Sequence, residues 1–405
     1  MESGAPLETR LAIVEVALDQ ALDRLLDYRI PEHLIGSVSK GDRLEVPLRG
    51  RMVRGYAMGL KESSPFETLQ PIQRVCNGDI SLPKDLLELA NWISAYYCCP
   101  LSKALKQMVP SPVRSEMGEK QQLFVTRVRT REELAEIASE LRRTRPQQAL
   151  VLDVLLKTEK GMLLTELLER AGVSRSPVDR LVTARHIDVR VCSLDRSPLQ
   201  EAEYFLSGPK KLKVQQQAAL DVIQANIEDR SFAVHLLHGI TGSGKTEVYL
   251  QAMDATLKQG RTVLLMVPEI ALTTQAVERF RARFPNQAAI LHHRLSDGER
   301  YDQWQKLRRG ELRVAIGARS VVYAPLQDLG LIVVDEEHET SYKSSEEPCV
   351  HARDVAIVRA RNAGACIILG TATPSLESMT HALSGKYRLH RLDERAEASS
   401  NLPKV

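Results

Sequence analysis

The chain contains no run of 18 or more apolar residues, so no segment is long enough to cross a bilayer as a helix. Met1 to Arg10 carries two acids and no apolar h-region, so it does not read as a secretory signal. The six cysteines (Cys76, Cys98, Cys99, Cys192, Cys349, Cys366) include no Cys-x-x-Cys pair. That argues against a zinc site made by this chain alone and for free thiols in a reducing cytoplasm. Charge of one sign is lacking too. Fifty-five Lys and Arg stand against 52 Asp and Glu, a net charge of +3, so any nucleic-acid contact must come from a local patch. What remains is 405 residues, 43% hydrophobic, enough for about two to four domains with cores of their own.

Pattern divides the first half. Leu11–Leu18 is strand-like, and Gly41–Pro47 and Met52–Leu60 flank Leu48-Arg-Gly-Arg51, a hairpin turn. Residues 1–110 therefore read as a small β-rich domain, with Arg49, Arg51 and Arg54 as a basic tip or a merely solvated loop. Residues 82–107 read as helical, with Leu86, Leu89, Ala90 and Ile93 at helical spacing. Pro110 and Pro112 mark a boundary. Residues 111–205 read as α-rich, with helical patterns over Glu132–Arg142, Gln148–Lys157, Leu163–Ala171 and Ser176–Ala184. Leu164–Ser174 and the helix after it have helix-turn-helix form with Gly172 in the turn, and Ile187–Cys192 reads as the hairpin of a winged helix. Such modules contact DNA or space out protein surfaces.

From residue 206 to 390 strands alternate with helices, the pattern of a parallel sheet covered on both faces. Strands are expected at Phe232–His238, Thr262–Val267, Ala288–His292, Leu312–Ile316, Gly330–Val334 and Cys366–Leu369. Helices are expected at Thr246–Lys258, Leu272–Phe284, Asp297–Arg308 and Ala352–Asn362. Between the first strand and first helix lies Gly239-Ile-Thr-Gly-Ser-Gly-Lys-Thr246, a complete phosphate-binding loop. Its glycines let backbone N–H groups face phosphate oxygens, and the following helix N-terminus favours the anion. Gly239, Thr241, Gly242, Ser243, Gly244, Lys245 and Thr246 are the ATP-binding candidates. Lys245 would reach the β- and γ-phosphates and Thr246 would ligate Mg²⁺. Asp335-Glu-Glu-His338 ends an apolar strand, where α/β sheets hold ligands. Asp335 is the second metal candidate, and Glu336 the group that orients and deprotonates water. His338, Thr371 and Thr373, the threonines in Gly370-Thr-Ala-Thr-Pro-Ser375, are candidates for coupling nucleotide state to the rest of the chain. Taken singly, an acidic run is a solvated face and Thr-Pro a helix start; the three motifs in this order favour function.

The order of P-loop, D-E-x-H and T-A-T resembles helicase superfamily 2. The wording of Gly239–Tyr249, Val267–Gln275, Leu291–Arg300, Ile316–Ser320, Asp335–His338, Ser341–Lys343 and His351–Asp354 is similar to bacterial replication-restart helicases of the PriA family. The resemblance implies a RecA-like lobe, a winged helix and an N-terminal domain that holds the 3′ end of a nascent strand. It implies that Gln216 contacts adenine, and that Pro268, Glu269, Thr273, Gly317, Arg319 and Ser320 follow the DNA backbone. Asp27 and Tyr28 become candidates for the strand end, the carboxylate accepting from a 3′-hydroxyl and the ring stacking on a base. It implies ATP and Mg²⁺, branched forks and single-stranded DNA as partners, and primosome components and single-strand-binding protein beside them. No membrane partner is expected. Two departures stand out: Pro348-Cys-Val350 occupies the place of an arginine–tyrosine pair, and Gln70 that of a basic residue.

The sequence ends at Val405, with 391–405 reading as a linker. The family's second lobe, its arginine finger and its paired zinc-binding cysteines are expected to follow. The expected function is an ATP-dependent 3′→5′ DNA helicase of replication restart, the 405 residues alone binding ATP and forks without unwinding. The competing expectations are a fork-binding module with a degenerate motor and another superfamily 2 ATPase.

Overall fold

The computed structural model describes residues 12–20, 22, 24–76, 81–114, 121–158, 161–193, 208–269, 274–292 and 295–395. Its contacts form two compact units, Met1–Ser115 with Leu199–Val405, and Glu116–Pro198.

The first unit opens with five strands: β1 (Ile13–Leu18), β2 (Leu26–Arg29), β3 (Arg43–Leu48), β4 (Arg51–Lys61) and β5 (Arg74–Val75). They form an antiparallel sheet in the order β2-β1-β4-β3-β5. The β3–β4 turn has positive φ at both central residues, Arg49 (49°) and Gly50 (76°), the twist that a tight hairpin prefers. One face buries Val14, Val16, Tyr28, Leu44 and Val46. Helices α1 (Lys84–Tyr96), α2 (Leu101–Met108) and α3 (Ser111–Arg114) follow. The stretch 82–107, read as helical, is two helices. Cys98 takes φ 49°, and Pro100, which has no N–H to give, serves as N-cap of α2.

The second unit runs β6 (Gln121–Arg127), α4 (Arg131–Thr144), α5 (Pro146–Leu155), β7 (Met162–Leu163), α6 (Leu164–Ala171), α7 (Arg175–Thr183) and β8 (Ile187–Ser193). A reciprocal Thr130–Glu133 capping box opens α4. Gly172, at φ 62°, closes α6 and turns the chain into α7. Leu134, Val151, Leu152, Leu167, Val178 and Leu181 fill the core. The hairpin expected within Ile187–Cys192 is instead one continuous strand. It pairs antiparallel with β6, Phe124 opposite Arg190, in a sheet ordered β7-β6-β8. No Gly, Pro or Asn falls within Ile187–Cys192, and β-branched Val189 and Val191 favour the extended backbone.

The chain then returns to the first unit: α8 (Val214–Glu228), β9 (Ala233–Gly239), α9 (Lys245–Lys258), β10 (Thr262–Met266), α10 (Thr274–Arg283), β11 (Ala288–Leu291), α11 (Asp297–Arg309), β12 (Val314–Gly317), β13 (Leu329–Val334), α12 (Ala352–Asn362), β14 (Cys366–Thr371), α13 (Leu376–Leu383) and β15 (Arg388–Leu392). The seven strands are all parallel, in the order β11-β12-β10-β13-β14-β9-β15. Every residue of β10, β13 and β14 is buried, as a sheet covered on both faces requires. Since β10, β13, β14 and β9 are neighbours and run one way, four strand ends open side by side on one edge. The α12 residue Arg359, with no exposed surface, joins this lobe to α1. Its guanidinium donates to Asp85 Oδ2 (2.9 Å) and to the carbonyls of Val322 (2.6 Å) and Ala324 (2.8 Å). Among the described residues no helix is long and apolar enough to cross a membrane.

Candidate functional site

The loop between β9 and α9 carries Gly242 at φ 81° and Gly244 at φ 83°, values a side chain resists. Gly239 has no room for a β-carbon, which would lie 2.5 Å from Ser243 Oγ and 2.9 Å from Leu392 Cβ. The loop is therefore compact, and helix α9 begins directly at Lys245. Lys245 is buried. Its Nζ donates to Gly239 O (2.8 Å) and lies 3.7 Å from Glu336 Oε1 at the end of β13. Thr246 is half-buried beside it, and Thr241 is exposed. The Ser243 hydroxyl is buried without a hydrogen-bond partner. Gln216, also buried, donates from Nε2 to Ser243 O (2.7 Å) and accepts from Lys213 N (2.8 Å), bracing the loop against α8.

Asp335 emerges from the buried end of β13. Desolvation, with the charge of Glu336 beside it, pushes its carboxyl up to about 6. The Tyr249 hydroxyl donates to its Oδ1 (3.2 Å) and the Tyr342 hydroxyl to its carbonyl (2.7 Å). Glu336 sits at φ 44°, an uncommon backbone for a non-glycine residue, and its Oε2 accepts from Ala372 N (3.2 Å). His338 reaches the next strand end, with Nδ1 2.8 Å from Thr371 Oγ1 and Nε2 3.3 Å from Thr373 Oγ1.

These residues fit Mg²⁺–ATP. A cation would relieve the desolvated Asp335, the buried Ser243 hydroxyl of the loop has no partner, and α9 begins at the loop's end. Among the described residues no cluster of three or more His, Cys, Asp or Glu stands ready for a metal. Mg²⁺ at a P-loop does not need one, because phosphate and water supply most of its ligands.

The segments expected to follow DNA lie on the same sheet. Pro268 is buried and Glu269 exposed just past β10, while Thr273 lies outside the described residues. At Gly317 a β-carbon would fall 2.4 Å from Leu291 O, so strand packing by itself requires glycine there. Arg319 donates from Nη1 to Lys343 O (3.0 Å), and Ser320 is exposed.

In the N-terminal sheet, Asp27 and Tyr28 face opposite ways. Asp27 accepts from Ser64 Oγ (2.7 Å) and Lys61 Nζ (3.3 Å). Tyr28 is 3% exposed, and its hydroxyl donates to Pro47 O (3.0 Å). The base-stacking role expected of Tyr28 therefore finds its ring inside the core, where adjacent strand residues must alternate.

Residues 15–110 match the 3′ DNA-binding domain of PriA, and residues 213–382 match the DEAD/DEAH box helicase family. The chain is 42% identical to replication restart protein PriA of Chlamydia pneumoniae, over 95% of this chain and 51% of that protein. Against PriA of Haemophilus influenzae the identity is 34%, over 97% and 53%; against that of Bacillus subtilis it is 31%, over 95% and 56%. The chain belongs to the PriA family. It spans about half the length of the curated relatives it matches.

In this PriA-family chain, sequence reasoning missed three side chains at the nucleotide edge. Glu337 has no exposed surface and accepts from Arg353 Nη1 (2.9 Å), Ser375 N (2.7 Å), Ser375 Oγ (3.0 Å) and Ser378 Oγ (2.9 Å). It fastens the acidic motif to the T-A-T segment. Arg353, the second, belongs to His351-Ala-Arg-Asp354, a signal present but unassigned. Tyr249 leaves no room beside it, since a β-carbon at Gly370 would lie 1.5 Å from its hydroxyl. The departure at Pro348–Val350 is held against the N-terminal helices by Lys103–Glu347 (2.6 Å) and by Tyr97 Oη accepting from His351 N (3.0 Å).

Proposed function

We propose that this chain is the strand-end-binding and first-motor portion of an ATP-dependent 3′→5′ DNA helicase that acts on stalled forks in the cytoplasm. The observation that carries the proposal is the 3.7 Å approach of Lys245 Nζ to Glu336 Oε1 across β9 and β13. A cation on the phosphate loop and a carboxylate at the neighbouring motif converge where a triphosphate would lie. Thr246 and Asp335 would hold Mg²⁺, which would neutralise phosphate charge there. Lys245 exchanges the Gly239 carbonyl for phosphate oxygens. Glu336 orients the attacking water and accepts its proton. Gln216 holds the loop and meets adenine, and His338, Thr371 and Thr373 carry the change away from the phosphate. Pro268, Glu269, Thr273, Gly317, Arg319 and Ser320 belong to the backbone track, and Asp27 accepts from the 3′-hydroxyl. Primosome proteins and single-strand-binding protein join as partners of the assembled helicase.

Rapid hydrolysis and unwinding draw on a second lobe, whose arginine contributes about 10³–10⁵ in rate in related motors. The 405 residues tested alone should bind ATP, hydrolyse it slowly and leave duplexes closed. Titration with a fluorescent ATP analogue tests this. Binding that Lys245→Ala leaves intact, or brisk unwinding by the chain, overturns it.

A further inference from the structure

Tyr249 lies on α9 one helical turn past Lys245 and three residues past Thr246, so it shares a helix face with both. Its ring is buried, and its hydroxyl reaches across to β13 and donates to Asp335 Oδ1 at 3.2 Å. On the other side stands Gly370 of β14, where the T-A-T segment begins. A β-carbon there would lie 1.5 Å from the hydroxyl and 2.5 Å from Cζ, so the missing side chain is what seats the phenol. The backbone of Asp335 is fixed separately: its N–H donates to Met266 O (2.9 Å) and its carbonyl accepts from the Tyr342 hydroxyl (2.7 Å). Tyr249 therefore acts on the carboxylate and not on the strand that carries it. A buried tyrosine hydroxyl needs an acceptor wherever it lies. This one takes a residue expected to hold the metal, and the phosphate-loop helix, the acidic motif and the T-A-T strand all meet on it.

We propose that Tyr249 is a positioning residue for the metal site: its hydroxyl, seated against Gly370, holds the Asp335 carboxylate in the orientation in which it meets Mg²⁺. The inference rests on the metal role proposed above for Asp335 and names the side chain that sets it. A carboxylate already fixed by a neighbouring donor needs no reordering when the cation arrives, so losing the donor weakens metal binding and leaves the rest of the nucleotide site as it was.

Titrations of the 405-residue chain with a fluorescent ATP analogue, repeated at stepped Mg²⁺ concentrations and in EDTA, test it. Tyr249→Phe keeps the ring and removes only the hydroxyl. It should raise the Mg²⁺ concentration for half-maximal binding by about tenfold, the low end of what a partner of a metal ligand contributes to metal affinity. In EDTA it should bind the analogue as wild type does, which also shows that the fold and the phosphate loop are intact. Asp335→Ala should raise the same midpoint, and Tyr249→Phe added to it should change nothing further. An unchanged midpoint in Tyr249→Phe where Asp335→Ala raises it, an equal loss with and without Mg²⁺, or additive effects in the double variant overturn the inference alone. If Asp335→Ala leaves the midpoint where it was, the metal role itself falls and takes the inference with it.

Discussion

The nucleotide edge and the strand-end cluster use the same ingredients, carboxylate, cation and hydroxyl, in opposite settings. At the edge of the parallel sheet they are buried and over-determined: Glu337 has no exposed surface and four donors. At the N-terminal sheet Asp27 stands on the edge strand β2 and Lys61 on the central strand β4, the carboxylate 7% and the ammonium side chain 35% exposed, with one serine donating to the carboxylate. The difference teaches where stability and where adaptability are kept. A fully buried network fixes geometry and makes every loss costly, whereas an ion pair with one partner open to water is screened and gives up less when it is broken.

The largest expected effect breaks the buried side. Arg353→Ala leaves Glu337 charged and unpaired, and a urea titration should show about 3–5 kcal/mol lost. Lys245→Ala should lower ATP turnover by about 10²–10³, comparable to removing one preorganised donor, while strand-end binding stays at the wild-type level. A joint loss would mean that the two regions are not separable.

Acid sharpens the contrast. His235, buried on β9, has its pKa pushed down to about 3 by desolvation, with His390 and Arg388 adding to the effect. Its folded value lies below its unfolded one, so its contribution is complete above pH ~6.5 and is lost as pH falls toward 3. Stability should drop by about 1.4 kcal/mol per pH unit from this group within that window. His235→Leu should flatten the slope in urea titrations repeated across pH. At the N-terminal sheet, Asp27→Ala should weaken hydroxyl-ended strands about tenfold, read by anisotropy, with no change in ATP binding. The smallest effect belongs to Lys103→Ala, which removes an exposed, water-screened pair with Glu347 and should leave the thermal melting midpoint nearly unchanged.

The nucleotide edge was legible because its motifs sit where period and composition switch. Six of the seven strands of the parallel sheet announce themselves as short apolar runs. The seventh, β15, reads Arg-Leu-His-Arg-Leu, and an edge strand that is half polar gives no such signal. Glu337 was overlooked because a run of acids does not say which one turns inward. At the strand end, Asp27 and Tyr28 were chosen together, although neighbours on a strand must face apart. Val14 opposite Tyr28 marks the core side, and Glu15 opposite Asp27 marks the other.

Arg359, itself without exposed surface, joins α1 to the parallel-sheet lobe through Asp85 and two carbonyls. Removing its guanidinium would strand an acid and two acceptors at that seam at once, so the N-terminal helices and the lobe should loosen together rather than one by one.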